Sequence, residues 1–135
     1  MTPLWLTRVW LGLAGLNGAV AVAMDAAARH HFDPTTGSHA RELIQISTKY
    51  QGLHALALIA MLLLLERAPP GLATQALRLA GWAFIVGMGL FCLTLYGLAF
   101  GCPLARPALM PLGGSSFIAG WLGLLVAAFA WKPRA

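Results

Sequence analysis

The chain has 135 residues, 59% of them apolar and only 10% charged, with a mean hydropathy of +0.76. A water-facing domain carries about a quarter charged residues, so composition excludes an ordinary soluble globule and points to a protein surrounded by lipid. The formal net charge of +5 does not indicate nucleic acid. Its Lys and Arg residues (Arg8, Arg29, Arg41, Lys49, Arg67, Arg78, Arg106, Lys132, Arg134) stand singly at the edges of apolar runs and form no basic patch.

The first apolar run covers residues 9–28, about the 20 residues that a hydrocarbon core near 30 Å requires. It is longer than the core of a secretory signal and is read as a retained helix. His30-His31-Phe32-Asp33-Pro34-Thr35-Thr36-Gly37 follows as a loop punctuated by Asp-Pro and Gly. Ser38 is expected to cap the next helix, with Glu42 in its first turn. That helix should begin as a short amphipathic turn at the interface and run on into a second span over residues 46–65.

Glu66-Arg67-Ala68-Pro69-Pro70-Gly71 breaks the pattern, and residues 79–100 form a third span. Gly101-Cys102-Pro103-Leu104-Ala105-Arg106-Pro107 is a tight connection to a fourth span over residues 108–131, with Pro111 near its start, where a helix tolerates proline best. Cys92 and Cys102 would sit about 15 Å apart along one helix axis. A disulfide needs Cα atoms within roughly 6 Å, so they are read as one buried thiol and one exposed loop thiol. The expected fold is an all-α membrane protein, a single bundle of four transmembrane helices with a short interfacial turn between the first two.

An even number of spans places both termini on one face with the loop between spans two and three. That face carries Arg8, Arg67, Arg78, Lys132 and Arg134, against Arg29, Arg41, Lys49 and Arg106 on the other. The positive-inside rule then puts the termini in the cytoplasm, and Trp5, Trp10, Trp82 and Trp131 are expected at that interface. Association in lipid relies on close packing of small residues and on hydrogen bonds. Gly12, Gly15 and Gly18 in the first helix, Gly81, Gly87 and Gly89 in the third, and Gly113, Gly114, Gly120 and Gly123 at or in the fourth are the expected packing positions.

Polar side chains within the spans converge in the outer half of the bundle: Asp25, Tyr50, His54, Thr94, Tyr96, Ser115 and Ser116. Tyr50 and His54, four apart, share a helix face. Asn17 lies apart from them, midway along the first helix. An ionisable group in lipid is a functional candidate by default. His54 suits a proton relay, a haem or metal ligand, or a contact for a quinone-like molecule. Alternatively it bonds Tyr96, a serine or a free carbonyl and fixes helix packing. With no second ligand at its depth, no metal site is expected. Asp25 and Arg29 are spaced to pair, and His30, His31 and His39 read as loop residues in water. No Gly-rich phosphate loop, paired-cysteine motif, zinc-protease motif or nucleophile elbow occurs.

Three segments carry a family resemblance: Tyr50-Gln51-Gly52-Leu53-His54-Ala55-Leu56-Ala57-Leu58, residues 91–96, and Met110-Pro111-Leu112-Gly113-Gly114 on through Phe117 to Gly120-Trp121. Their tyrosine-x-x-x-histidine and proline-x-glycine-glycine motifs, in this order along nearly the whole chain, resemble the family called domain of unknown function 423. Its eukaryotic members are called transmembrane protein 256. Where the family has a Gly/Ala-rich stretch ending in histidine, this chain keeps His30 but has Asp25 and Arg29 among the small residues. The resemblance implies a bacterial inner-membrane location and brings no activity with it.

The functional expectation is a non-enzymatic accessory or structural subunit of a membrane complex, with the bilayer, a larger complex or further copies of itself as partners and no cofactor. The competing expectation is a binding or transport module for a lipophilic or redox molecule, quinone-like or haem, centred on His54. An intramembrane enzyme would need a second group within reach of His54, and Asp25 is the one candidate.

Overall fold

The computed structural model describes residues 2–33 and 35–132; Pro34 of the first loop and the basic Arg134 lie outside the described residues. Four helices follow in order: α1 (Leu4–His30), α2 (Ser38–Arg67), α3 (Leu72–Ala99) and α4 (Leu109–Ala130). All four are long and apolar enough to cross a membrane. Even the shortest, with 22 residues, reaches about 33 Å at the helical rise. Among the described residues there is no strand. The helical solution follows from lipid, where every backbone amide must be satisfied within its own segment.

Helices adjacent in sequence are neighbours in space. α1 packs chiefly on α2 and α4 on α3, while α2 and α3 join the two pairs. The burial pattern reports the same arrangement. α1 buries Leu6, Trp10, Ala14, Ala21 and Ala28, one narrow stripe at near-heptad spacing. α2 buries eleven residues, Ile44 and Ser47 through Leu65, on more than one face. Large apolar side chains such as Leu56, Ile118 and Phe129 point outward, as a lipid-facing surface permits.

Short connections hold the pairs in place. Asp33 organises the α1–α2 loop: its carboxylate accepts the amides of Thr35 at 2.7 Å and Thr36 at 3.1 Å, and the Thr35 hydroxyl as well. These bonds, the Thr35 hydroxyl foremost, hold the Asp33 carboxyl below the usual carboxylate range. Because this turn is already closed, Gly37 occupies the cap position of α2 and Ser38 is its first residue, with no side-chain cap bond. The expected Ser38 cap and first-turn Glu42 are therefore corrected. The amphipathic turn is continuous with α2. At the far end of α3, Gly101 adopts a positive φ of 67°, the left-handed conformation that commonly ends a helix.

α3 begins at Leu72, seven residues before the apolar run, and is interrupted by a π-helical segment at Met88–Cys92. Such a segment removes backbone bonds that lipid cannot replace. Ser47 of α2 answers this, donating its hydroxyl to the Cys92 carbonyl at 3.2 Å, while the Cys92 thiol donates back to the Ser47 carbonyl at 3.6 Å. Cys92 is thus buried and Cys102 exposed, and both thiols are free.

Glycines divide into two kinds. A Cβ on Gly81 would strike the Trp10 ring, one on Gly120 the Phe84 ring, and one on Gly87 would meet Phe117 at 2.5 Å. At Gly113 the obstacle is backbone, with the Phe91 nitrogen 2.6 Å away. By contrast, Gly12, Gly15, Gly18 and Gly114 have nothing within 4 Å of that position. The expectation that these four pack the bundle is corrected, as it is for Gly89, because no neighbouring helix enters the space beside them. Trp10 is fully buried, edge-on to Trp82 at 5.8 Å, because Gly81 leaves room for its ring.

Candidate functional site

His54 sits in the middle of α2, and helical spacing turns it with Ala55, Leu58 and Met61 into the bundle, where it is 1% exposed. Its Nδ1 lies 2.7 Å from the Tyr50 carbonyl one turn back. The Trp121 indole of α4 donates to its Nε2 at 3.2 Å. A carbonyl only accepts and an indole N–H only donates, so the partners assign a neutral ring with its hydrogen on Nδ1. Above the ring lies Phe117, stacked at 3.7 Å and 9°, and Phe84 leans against it at 5.2 Å. Tyr50 stacks on Phe117 at 6.0 Å and touches Phe91 at 5.1 Å.

A second polar group links α1, α2 and α3. Asn17 of α1 donates to its own Leu13 carbonyl at 2.8 Å and accepts from Gln51 Nε2 at 2.8 Å. The Tyr96 hydroxyl of α3 donates to Gln51 Oε1 at 2.5 Å. Gln51 is 3% exposed and joins α1 to α3 through α2. Beside this chain lies a cavity of about 300 Å³, walled by Asn17, Gln51 and the π-segment residues Met88 and Gly89.

The expected single cluster around His54 is therefore two. Tyr50 and His54 meet, but Tyr96 belongs to the amide chain, and no hydrogen bond joins it to His54 among the described residues. Ser116 ties α4 to α3 through the Ala83 carbonyl at 2.8 Å, whereas Ser115 bonds its own Pro111 carbonyl and is exposed. Thr94 likewise bonds back to the Leu90 carbonyl at 2.6 Å. Asp25 pairs with Arg29 at 3.0 Å and opens with Gln45, Thr48 and Lys49 onto a groove between α1 and α2. It is not a partner of His54.

Gln51 is the residue that sequence reading missed. An uncharged amide in an apolar run is a signal, because two amides on different spans gain most by meeting each other. Trp121 was missed as a donor because its partner lies 67 residues away. Chemically, the arrangement leaves little unsatisfied. To hold haem through Nε2, His54 would have to give up the bond from Trp121, and among the described residues no carboxylic acid is hydrogen-bonded to its ring. Among the described residues no group of three His, Cys, Asp or Glu side chains is placed to hold a metal ion.

The family model described as a protein of unknown function (DUF423) matches residues 24–114, a region that takes in Gln51, His54 and Tyr96. The chain is 30% identical over 134 residues to the UPF0382 inner membrane protein YgdD of Escherichia coli K12, covering 95% of each. It is 30% identical over 123 residues to a UPF0382 membrane protein of Haemophilus influenzae, covering 91% of this chain and 95% of the relative. A UPF0382 membrane protein of Staphylococcus epidermidis is 30% identical over 120 residues, 89% of this chain and 94% of its own. No solved structure matches the chain. With four membrane-length helices and relatives of this kind, the chain belongs to the DUF423 family of membrane proteins, whose similar members include inner-membrane proteins.

Proposed function

We propose that this protein is a non-enzymatic accessory subunit of a larger complex in the bacterial inner membrane, with both termini in the cytoplasm. One observation supports the reading: His54, Gln51, Ser47 and Ser116 all have their polar atoms engaged in hydrogen bonds within the bundle. His54 uses both ring nitrogens, Gln51 uses both ends of its amide, and Ser47 and Ser116 bond backbone carbonyls of α3. Groups committed in this way hold helices in register. A general acid or base would need a free position facing substrate.

The surface left for a partner is the outer side of α1. A groove of about 730 Å³ runs between α1 and α2, with Gly15, Gly18, Gly52 and Ala55 along its floor and Asp25 and Lys49 at one end. Open glycines let another helix approach closely. Gentle extraction from native membranes, followed by mass spectrometry, tests the reading. A reproducible membrane-protein partner is expected, lost when Gly15 and Gly18 are both replaced by leucine. A protein that runs alone as a monomer overturns it.

The competing reading, a lipophilic or redox ligand at His54, draws on the partly exposed Tyr50 and Trp121 rings beside the histidine, 40% and 42% exposed. It predicts a visible spectrum or an extractable small molecule that disappears with His54→Ala. A colourless, ligand-free preparation removes it.

A further inference from the structure

Among the described residues, Arg78 is a cation without a partner. It lies on α3 less than two turns from the start at Leu72, and among the described residues it makes no hydrogen bond or ion pair. Its Nε is buried and unsatisfied. A charged side chain on a membrane helix is costly and is ordinarily paired, and a buried donor left unmade carries the full desolvation cost. The one ion pair among the described side chains is at the opposite end, between Asp25 and Arg29.

The surroundings show where the missing partner would lie. Side chains on a helix tilt toward its N-terminus, so Arg78 reaches back toward the α2–α3 turn. There a cleft of about 380 Å³ is bounded by Arg78, Gln75 and Thr74 of α3, by Glu66 at the end of α2 and by Thr2. The lining of this cleft is mostly polar. Glu66, exposed and on the rim, forms no bond to Arg78.

We infer that this cleft is a binding site for a phosphate whose negative charge is not neutralised by a cationic headgroup, with Arg78 as its principal contact. A guanidinium presents a planar fork that matches phosphate oxygens and is weakly enough hydrated to work near lipid. Arg78 lies less than two turns from the end of a membrane-length helix, the region where a spanning protein meets phospholipid headgroups and where a cation attracts anionic ones. The shared chemistry is phosphate, carried by an anionic phospholipid or free in solution. The inference stands apart from the partner proposed for α1.

The full-length protein in mild detergent is offered equal phosphatidylglycerol and phosphatidylcholine, and retained lipid is read by native mass spectrometry. The expected result is about a fivefold to tenfold preference for phosphatidylglycerol, falling to none in Arg78→Gln and partly kept in Arg78→Lys. Glu66→Gln should match or exceed the unaltered protein, because it removes a competing anion. If excess inorganic phosphate displaces the lipid, the site takes free phosphate as well; if not, it reads the headgroup. A protein with no preference, or an Arg78→Gln variant with unchanged circular dichroism that keeps the preference, overturns the assignment. So does loss of preference in Glu66→Gln, which would make Glu66 and Arg78 partners of each other.

Discussion

Four glycines of α3 and α4 and the three of α1 are the same residue put to opposite uses. Gly81, Gly87 and Gly120 each receive an aromatic ring from another helix, and Gly113 lets the α3 backbone approach at Phe91. Gly12, Gly15 and Gly18 receive nothing. In lipid a glycine gains no stability from hydrophobic exclusion, so its worth is set by what enters the space it leaves. The α3–α4 pair spends that space on internal cohesion. On α1 the space remains at the surface, which is why the two regions are expected to respond oppositely to substitution.

Gly113→Ala is the harshest way to test the contrast. The added methyl meets backbone, which cannot rotate aside as a side chain would, so a loss of about 3 kcal/mol is expected. Thermal unfolding in detergent or nanodiscs measures it, and an unchanged midpoint would show that α4 does not lie against Phe91.

Next in size is Gln51→Leu, which removes two interhelical bonds and strands the Tyr96 hydroxyl. Membrane hydrogen bonds average about 0.6 kcal/mol each, and the stranded group adds to this, so about 1–2 kcal/mol is expected. Combining it with Asn17→Leu should cost less than the sum of the two, since both report the same bond. Strict additivity in that cycle would break the chain Asn17–Gln51–Tyr96.

Gly15→Ala sharpens the other side of the comparison. With open space around the new methyl, the helix gains the propensity difference, a stabilisation of up to ~1 kcal/mol. Destabilisation of the isolated protein would mean that α1 is packed on this face after all.

The smallest effect is expected in the loop. The Asp33 carboxyl titrates below its ordinary value because its charged form is hydrogen-bonded. Its support for the turn is therefore complete above about pH 4 and fades as pH falls through the lowered value. The amide shifts of Thr35 and Thr36 should move together over that acid range, and Asp33→Asn should abolish the movement. Amide shifts that stay constant into strong acid would contradict the turn.

Much of the fold was legible because its signals are local. An apolar run of about 20 residues and a Pro-Gly break declare a spanning helix and its end without reference to anything distant. The start of α3 was hidden because Gln75 and Arg78 interrupt the apolar run, though not the helix. At the site, His54 and Tyr96 could be singled out as polar residues in lipid, but their partners could not. Ser47 and Cys92 are 45 residues apart, and their bonds exist only where a π-segment frees a carbonyl.

Composition and periodicity by themselves determined the solvent, the helical class and the number of membrane-length segments, because backbone amides in hydrocarbon have no other way to be satisfied. Tertiary structure alone decided which glycines are filled, that the outer polar residues form two groups instead of one, and that Arg78 is left unpaired among the described residues. Those outcomes depend on how helices rotate and approach one another. Leucine on every face leaves that choice to a few rings, amides and hydroxyls whose partners lie far away in the chain.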